Sequence, residues 1–452
     1  MINKLKSIFL KGDPRTLLAK KNILGSLGLK AIDVLIDLVL VPLALSYLTQ
    51  TNYGIWLTIN SMVVWFNLLD VGLAHGLRNK LAVAIARNDQ HLIKSYTSTA
   101  YTVIAFICII VSAICYLTVP FINWNFVLNV DGIANSELMS IMLIVLTSFI
   151  LNLLFKTITS VFLAKQLSVL VSLVNTIGKI SIAIALIALI YLAEANNLVL
   201  FATIYSFLPL LVLVVFTLVL FSNKYKSFSP SIRYYEFSKV KEIMNLGVNF
   251  FIIKVSVIIL FMTDNLIISH LFHPAEVTPY QITNKYFGVL LMLFTIVLSP
   301  YWSAITEAYE KGEINWIKKS ISNLHKLWVV LVVGAAILLL LHGVLIKLWV
   351  GSEINIPFLL AFQFFLFVCF QTLNSIYTYF LNGVSILRIQ LYTGLFTIFL
   401  NIPLSIFFAK TLALGTAGVI MATNVSMLIY IIFRKTQYHK IINGTATGIW
   451  SK

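Results

Sequence analysis

The chain has 452 residues, 60% of them hydrophobic and only 11% charged, with a net charge of +16. A water-soluble domain carries about 25% charged residues, so this composition leaves too little polar surface for a water-facing exterior and excludes a separate soluble enzyme domain. The positive balance falls in short loops between apolar stretches, which sets nucleic acid aside as a partner and makes membrane lipids the surroundings.

Long apolar windows recur from end to end and predict an all-α integral membrane protein of about twelve transmembrane helices. In chain order the spans lie near 22–48, 54–77, 96–119, 138–161, 168–193, 198–221, 245–271, 277–304, 327–350, 357–381, 389–410 and 415–433. Each suffices to cross a hydrocarbon core of about 30 Å. The basic start of the chain (Lys4, Lys6, Lys11) does not read as a cleavable signal, because the first long apolar stretch comes late and is interrupted by charges. Cys108, Cys115 and Cys369 all sit inside apolar runs and read as small core residues, not as a disulfide or a metal site.

The loops alternate in charge. Lys20, Lys21 and Arg15 precede the first span; Arg78, Lys80, Arg87 and Lys94 fill the second loop; Lys156 and Lys165 the fourth. Lys224, Lys226, Arg233, Lys239 and Lys241 lie in the sixth, Lys311, Lys318, Lys319 and Lys326 in the eighth, and Arg388 in the tenth. Arg434, Lys435, Lys440 and Lys452 read as tail cations, whereas the odd loops hold only Lys347 and Lys410. Because basic loops stay in the cytoplasm, both termini and all even loops are expected there.

An internal repeat supports the count. AVAIARNDQHLIKSYTS (Ala82–Ser98) and TEAYEKGEINWIKKSIS (Thr306–Ser322) align at a constant offset of 224, pairing Arg87 with Lys311, Asp89 with Glu313, Ile93 with Ile317 and Lys94 with Lys318. Six spans per half is even, so the halves insert with the same orientation, a parallel repeat known from transporters. The expected organisation is a six-helix lobe at 1–221, a cytoplasmic linker at 222–243, a second six-helix lobe at 244–434 and a cytoplasmic tail at 435–452.

Seven charges fall inside spans: Lys30, Lys179, Lys254, Lys285, Asp33, Asp37 and Asp264. Each would cost about 2.5–3.5 kcal/mol against lipid, and together roughly 20 kcal/mol, more than the net stability of a typical fold. They are therefore expected to face one another or a wet cavity. Lys30, Asp33 and Asp37 share one helix face by their i, i+3, i+7 spacing, leaving two carboxylates to one ammonium. That surplus suits a proton or sodium ion as coupling ion, or a static ion-pair cluster. The four lysines suit a cavity for an anionic headgroup, or paired and snorkelling side chains. Polar stripes run along the second span (Trp56, Asn60, Asn67, Asp70) and the tenth (Gln371, Asn374, Ser375, Thr378, Asn382), fitting either hydroxyl-rich substrates or hydrogen bonds between helices. No P-loop, zinc pair or nucleophile elbow is present, and His270 and His273 alone do not make a metal site.

The stretch YGIWLTINSMVVWFNLLDVGLAHGLRNKLAVAIARND, Tyr53–Asp89, resembles the second helix and following loop of the polysaccharide transport proteins, including O-antigen flippases of the Wzx type. PYWSAITEAYEKGEINWIKKS, Pro300–Ser320, is its counterpart in the second half. The resemblance, to the multidrug/oligosaccharidyl-lipid/polysaccharide exporter superfamily, covers essentially the whole chain. It implies a two-lobed, alternating-access transporter, not an enzyme, in the bacterial inner membrane. It implies an undecaprenyl-diphosphate-linked oligosaccharide as substrate, with Lys30, Lys179, Lys254 and Lys285 as the positions for its diphosphate. It also implies a polysaccharide polymerase and a chain-length regulator as partners. Asp33 and Asp37 leave a multidrug or cation antiporter as the alternative; a lipid II flippase would need two further helices, and a membrane scaffold would not need buried charges.

Overall fold

A computed structural model of the protein describes residues 14–66, 73–165, 167–192, 194–223, 225–244, 263–384 and 386–451. Every regular element among them is helical. The long helices are α1 (Pro14–Tyr47), α2 (Gln50–Val64), α3 (Leu73–Ala86), α4 (Gln90–Thr118), α5 (Asn135–Phe155), α6 (Ser168–Leu192) and α7 (Leu198–Ser222). After them come α8 (Phe237–Met244), α9 (Asp264–Leu271), α10 (Val277–Glu310), α11 (Ile314–Val350), α12 (Phe358–Gly383), α13 (Arg388–Ile406) and α14 (Thr416–Ile442).

Nine described helices are long and apolar enough to cross a bilayer. They match nine of the expected spans. The other three are the stretch inside α1, which carries Lys30, Asp33 and Asp37, and two that include residues 67–72 or 245–262, outside the described residues. The helices also wear the surface a bilayer requires: Phe106, Leu340 and Leu348 are 63%, 80% and 78% exposed. Such large apolar faces would aggregate in water, but against lipid they are neutral. Helix starts follow local chemistry. The side chains of Thr49, Asp89 and Asn197 accept from the backbone N–H groups of Asn52, Leu92 and Leu200, capping α2, α4 and α7.

By contacts the chain forms two compact units. The first gathers the described residues of Met1–Leu48, Phe66–Asn125 and Asp131–Phe251. In it α1 packs along α6, and α7 packs on both α5 and α6. Small residues allow the close approaches: Gly25 lies against Val169, Gly178 against Pro209, and Gly76 against the backbone of Ile243. The stretch expected to link the halves is folded onto α4: the Ser98 hydroxyl accepts from the Ser231 N–H (2.9 Å), and Thr99 Oγ1 accepts from the Glu236 N–H (3.1 Å).

The second unit holds the described residues of Thr49–Trp65, Phe126–Val130 and Ile252–Lys452. It is built on α12, which packs on α10, α11 and α14. Its core includes Phe294, Leu298, Ile317, Ile376, Phe380 and Tyr438. Helix α2 joins this unit, packing on α9 and α10 with Gly54 set against the Pro274 carbonyl. The last helix does not stop at residue 433 but runs on to Ile442, and the following segment returns to it. Trp450 stacks on Phe433, and the Gln437 amide donates to the Trp450 carbonyl (3.3 Å).

The repeat is visible in the backbone. The Asp89 N–H donates to the Ala84 carbonyl (3.1 Å), and 224 residues later the Glu313 N–H donates to the Ala308 carbonyl (2.8 Å). Asn88 (φ 54°) and Gly312 (φ 71°) occupy the left-handed position of the same helix-ending turn.

Candidate functional site

Two polar clusters lie inside the helical units. In the first unit, α1 places Asp33 and Asp37 one turn apart and α6 presents Thr176 and Lys179 to them. Lys179 Nζ lies 2.6 Å from Asp37 Oδ2 and 3.5 Å from the Asp33 carbonyl, and the Thr176 hydroxyl donates to Asp33 Oδ1 at 2.6 Å. Thr176 and Lys179, at i and i+3, share a face of α6 for the same reason that Asp33 and Asp37 share a face of α1. Lys30 is exposed and forms no ion pair among the described residues. The cluster therefore holds two carboxylates and one ammonium, and that ammonium is Lys179 of α6, not the Lys30 that shares their helix. Lys179 is the addition the i, i+3, i+7 pattern does not contain, because it comes from a helix more than 140 residues away.

In the second unit, the Asp264 carboxylate is buried at the start of α9. The Tyr280 hydroxyl of α10 donates to its Oδ2 at 2.5 Å, while Oδ1 has no hydrogen-bond partner among the described residues. Beside it the Asn265 amide donates to the Leu57 carbonyl of α2 (3.3 Å) and accepts from the Gln281 amide (2.6 Å), to which Asn284 donates in turn (3.3 Å). One helical turn on from Gln281, Lys285 Nζ reaches the Tyr53 hydroxyl at 3.5 Å. This network joins α2, α9 and α10. It contains the expected residues Asp264 and Lys285, and it adds Tyr53 and Tyr280, whose spacing gives no hint of the contact. Lys254, Asn67 and Asp70 lie outside the described residues.

A third charge was not anticipated. Arg434 reads from the sequence as a tail cation, but it sits inside α14 and is 8% exposed. Its Nη1 donates to Asn374 Oδ1 (2.9 Å) and Thr378 Oγ1 (2.6 Å) of α12, and its plane lies over the Tyr430 ring at 4.5 Å. The polar stripe of the tenth span is thus spent in part on other helices: Asn374 and Thr378 serve Arg434, and Asn382 accepts from the Gln390 amide (3.1 Å). The signal for Arg434 was present in the continued 3.6-residue period through Tyr438, Ile441 and Ile442, which keeps residue 434 on the packed face. Among the described residues no group of three or more His, Cys, Asp or Glu could hold a metal ion.

No family model matches the chain. It is 21% identical over 283 residues to a candidate O-antigen transporter of Salmonella typhi, covering 63% of each chain. It is 22% identical over 366 residues to a candidate O-antigen transporter of Salmonella typhimurium, covering 78% of this chain and 81% of that one. A candidate O-antigen export protein of Yersinia pseudotuberculosis is 22% identical over 374 residues, covering 80% and 82%. Among solved structures, an inward-facing MATE family multidrug transporter of the MOP superfamily superposes with a TM-score of 0.70 at 14% identity, over 93% of this chain and 96% of that one. The lipid II flippase MurJ, in an inward closed conformation, superposes with a TM-score of 0.71 at 14% identity, over 92% and 87%. The chain has the fold of these transporters and resembles the O-antigen transporters in sequence; it is a multi-span helical protein of the bacterial inner membrane.

Proposed function

We propose that this protein is a flippase that carries an undecaprenyl-diphosphate-linked oligosaccharide from the cytoplasmic to the periplasmic leaflet by alternating access. It acts as a transporter without chemical turnover, with both termini in the cytoplasm. The observation that carries this reading is the alignment with O-antigen transport proteins over about four-fifths of the chain. Cations set inside apolar helices support it, because a diphosphate needs positive charge along its path. Lys30, Lys179, Lys254 and Lys285 are the proposed contacts. Lysine acts as a point charge without a planar fork, which suits a group that must be released again. Asp33, Asp37 and Asp264 are the proposed coupling residues for a proton or sodium ion; Asp264, with one carboxylate oxygen unpartnered among the described residues, is best placed to take one.

A multidrug or cation antiporter is the second reading, favoured by the MATE fold and the Asp33–Asp37 pair. Lys179 weakens it by occupying Asp37. The two readings separate in a strain lacking the protein. The flippase reading expects lipid-linked repeat units to accumulate, surface glycan to be lost and drug tolerance to stay unchanged. Normal surface glycan with new sensitivity to cationic drugs would replace it with the antiporter.

A further inference from the structure

Arg434 is nine-tenths buried in a membrane-spanning helix, and among the described residues no carboxylate pairs with it. An uncompensated buried charge is expensive, and removing it from water is repaid only by an opposite charge with good hydrogen bonds. How the guanidinium is held shows where that charge belongs. Both Nη1 protons are used, one on Asn374 Oδ1 and one on Thr378 Oγ1, and Tyr430 fixes the plane from one face. Tyr430 is itself tied by its hydroxyl to Thr397 of α13 (2.5 Å). What remains is the opposite edge: among the described residues, the buried Nε has no partner and Nη2 makes no hydrogen bond. The Nε–H and Nη2–H of one arginine edge point the same way and match two oxygens of a carboxylate or phosphate.

The geometry points to an oxyanion site in the second unit, in which the Nε/Nη2 edge of Arg434 takes a phosphate group side-on while Asn374, Thr378 and Tyr430 hold the guanidinium in place. Three helices converge on that arrangement, so the edge is oriented before a ligand arrives and little rotamer freedom is left to lose on binding. The same helices carry the buried acceptors Gln371 Oε1 and Gln437 Oε1, which also lack partners among the described residues. They suit a hydroxyl of a partly protonated phosphate or a water that accompanies it. The phosphate could come from a soluble anion or from a lipid headgroup. The site is distinct from the lysine positions proposed for transport and does not rest on the flippase reading.

The test uses the full chain in dodecyl maltoside and phosphate-free buffer. Melting temperature is followed while inorganic pyrophosphate, or separately phosphatidylglycerol in mixed micelles, is titrated. Wild type is expected to show a saturable rise with at least one of them; which one identifies the source. Arg434→Lys keeps the charge and loses the paired edge, so the concentration needed should increase at least tenfold. Asn374→Asp supplies a carboxylate from within, so it should melt higher without ligand and lose the response; it also keeps the test decisive if Arg434→Lys fails to fold. No response of the wild type to either titrant, or a wild-type response from Asn374→Asp, overturns the site. The assay involves no glycan and no transport, so its failure would leave the flippase reading where it stands.

Discussion

Lys179 and Arg434 are both cations within membrane helices, and the molecule treats them oppositely. Lys179 has a carboxylate at 2.6 Å, with a second carboxylate beside it, and its side chain is still 30% exposed. Arg434 is more deeply buried, and its partners among the described residues are neutral. A lysine that snorkels needs little help at a half-exposed site, whereas a buried arginine must be solvated by whatever surrounds it. The first arrangement is complete in itself and holds α1 to α6. The second is complete only with an anion.

Two isosteric exchanges would interchange these environments. Asn374→Asp gives Arg434 the counter-charge that Lys179 has, and should stabilise the protein by about 2 kcal/mol, the scale of a charge-assisted hydrogen bond. Asp37→Asn takes that counter-charge from Lys179 and should destabilise by about 1 kcal/mol, less because the pair is half exposed. Denaturant unfolding of purified variants checks both; equal signs for the two exchanges would mean that Arg434 is already compensated. Under the proposed function Asp37→Asn also lowers glycan export, which the same strains report through surface glycan.

The repeated turns supply a smaller contrast between the same two units. Gly312 holds φ 71°, and a Cβ added there meets nothing within 4 Å. The cost of Gly312→Ala is then backbone strain alone, about 1 kcal/mol. Asn88 already carries a side chain at the matching position (φ 54°), and asparagine tolerates that region, so Asn88→Gly should change stability by less than about 0.5 kcal/mol. Thermal melts of the two variants test this; a Gly312→Ala protein as stable as wild type would mean that the turn relaxes away from its repeat geometry.

These turns also show what was legible beforehand. The Arg87–Asp89 and Lys311–Glu313 segments could be aligned from sequence because a helix-ending turn needs local chemistry: a residue tolerating positive φ, then a polar cap. The transmembrane segments were equally readable, since bilayer thickness fixes their length and apolarity. The charged sites were legible only within one helix. Lys30, Asp33 and Asp37 announce themselves by spacing, but Lys179 finds Asp37 from α6, and Tyr53 reaches Lys285 from α2, through packing that no periodicity encodes. Arg434 was misplaced for a different reason: a charge at the end of an apolar window looks like a loop cation unless the helical period is followed past it.

Glu242 on α8 gives a local effect, and a third case beside Lys179 and Arg434. Its carboxylate accepts from the Tyr96 hydroxyl at 2.6 Å and from Lys239 at 2.9 Å, with Lys80 at 3.5 Å, yet 36% of its side chain is exposed. The Tyr96 and Lys239 hydrogen bonds hold its pKa down to about 2, from an ordinary value of 4.5, against a smaller opposing effect of burial. A carboxylate with a depressed folded pKa stabilises the folded state above its unfolded value, and that contribution disappears as pH falls from about 4.5 towards 2. Solvent screening at this exposure keeps the contribution below about 1 kcal/mol. The expected result is local: hydrogen exchange in α8 accelerates through that window before the membrane helices respond. Tyr96→Phe removes the largest cause and should move the window upward towards 4.5. If α8 kept its protection to pH 2 in wild type, its docking would rest on the Ile243 contact with Gly76 and not on charge; the counter-ion that matters to Lys179 would then be dispensable where water can take its place.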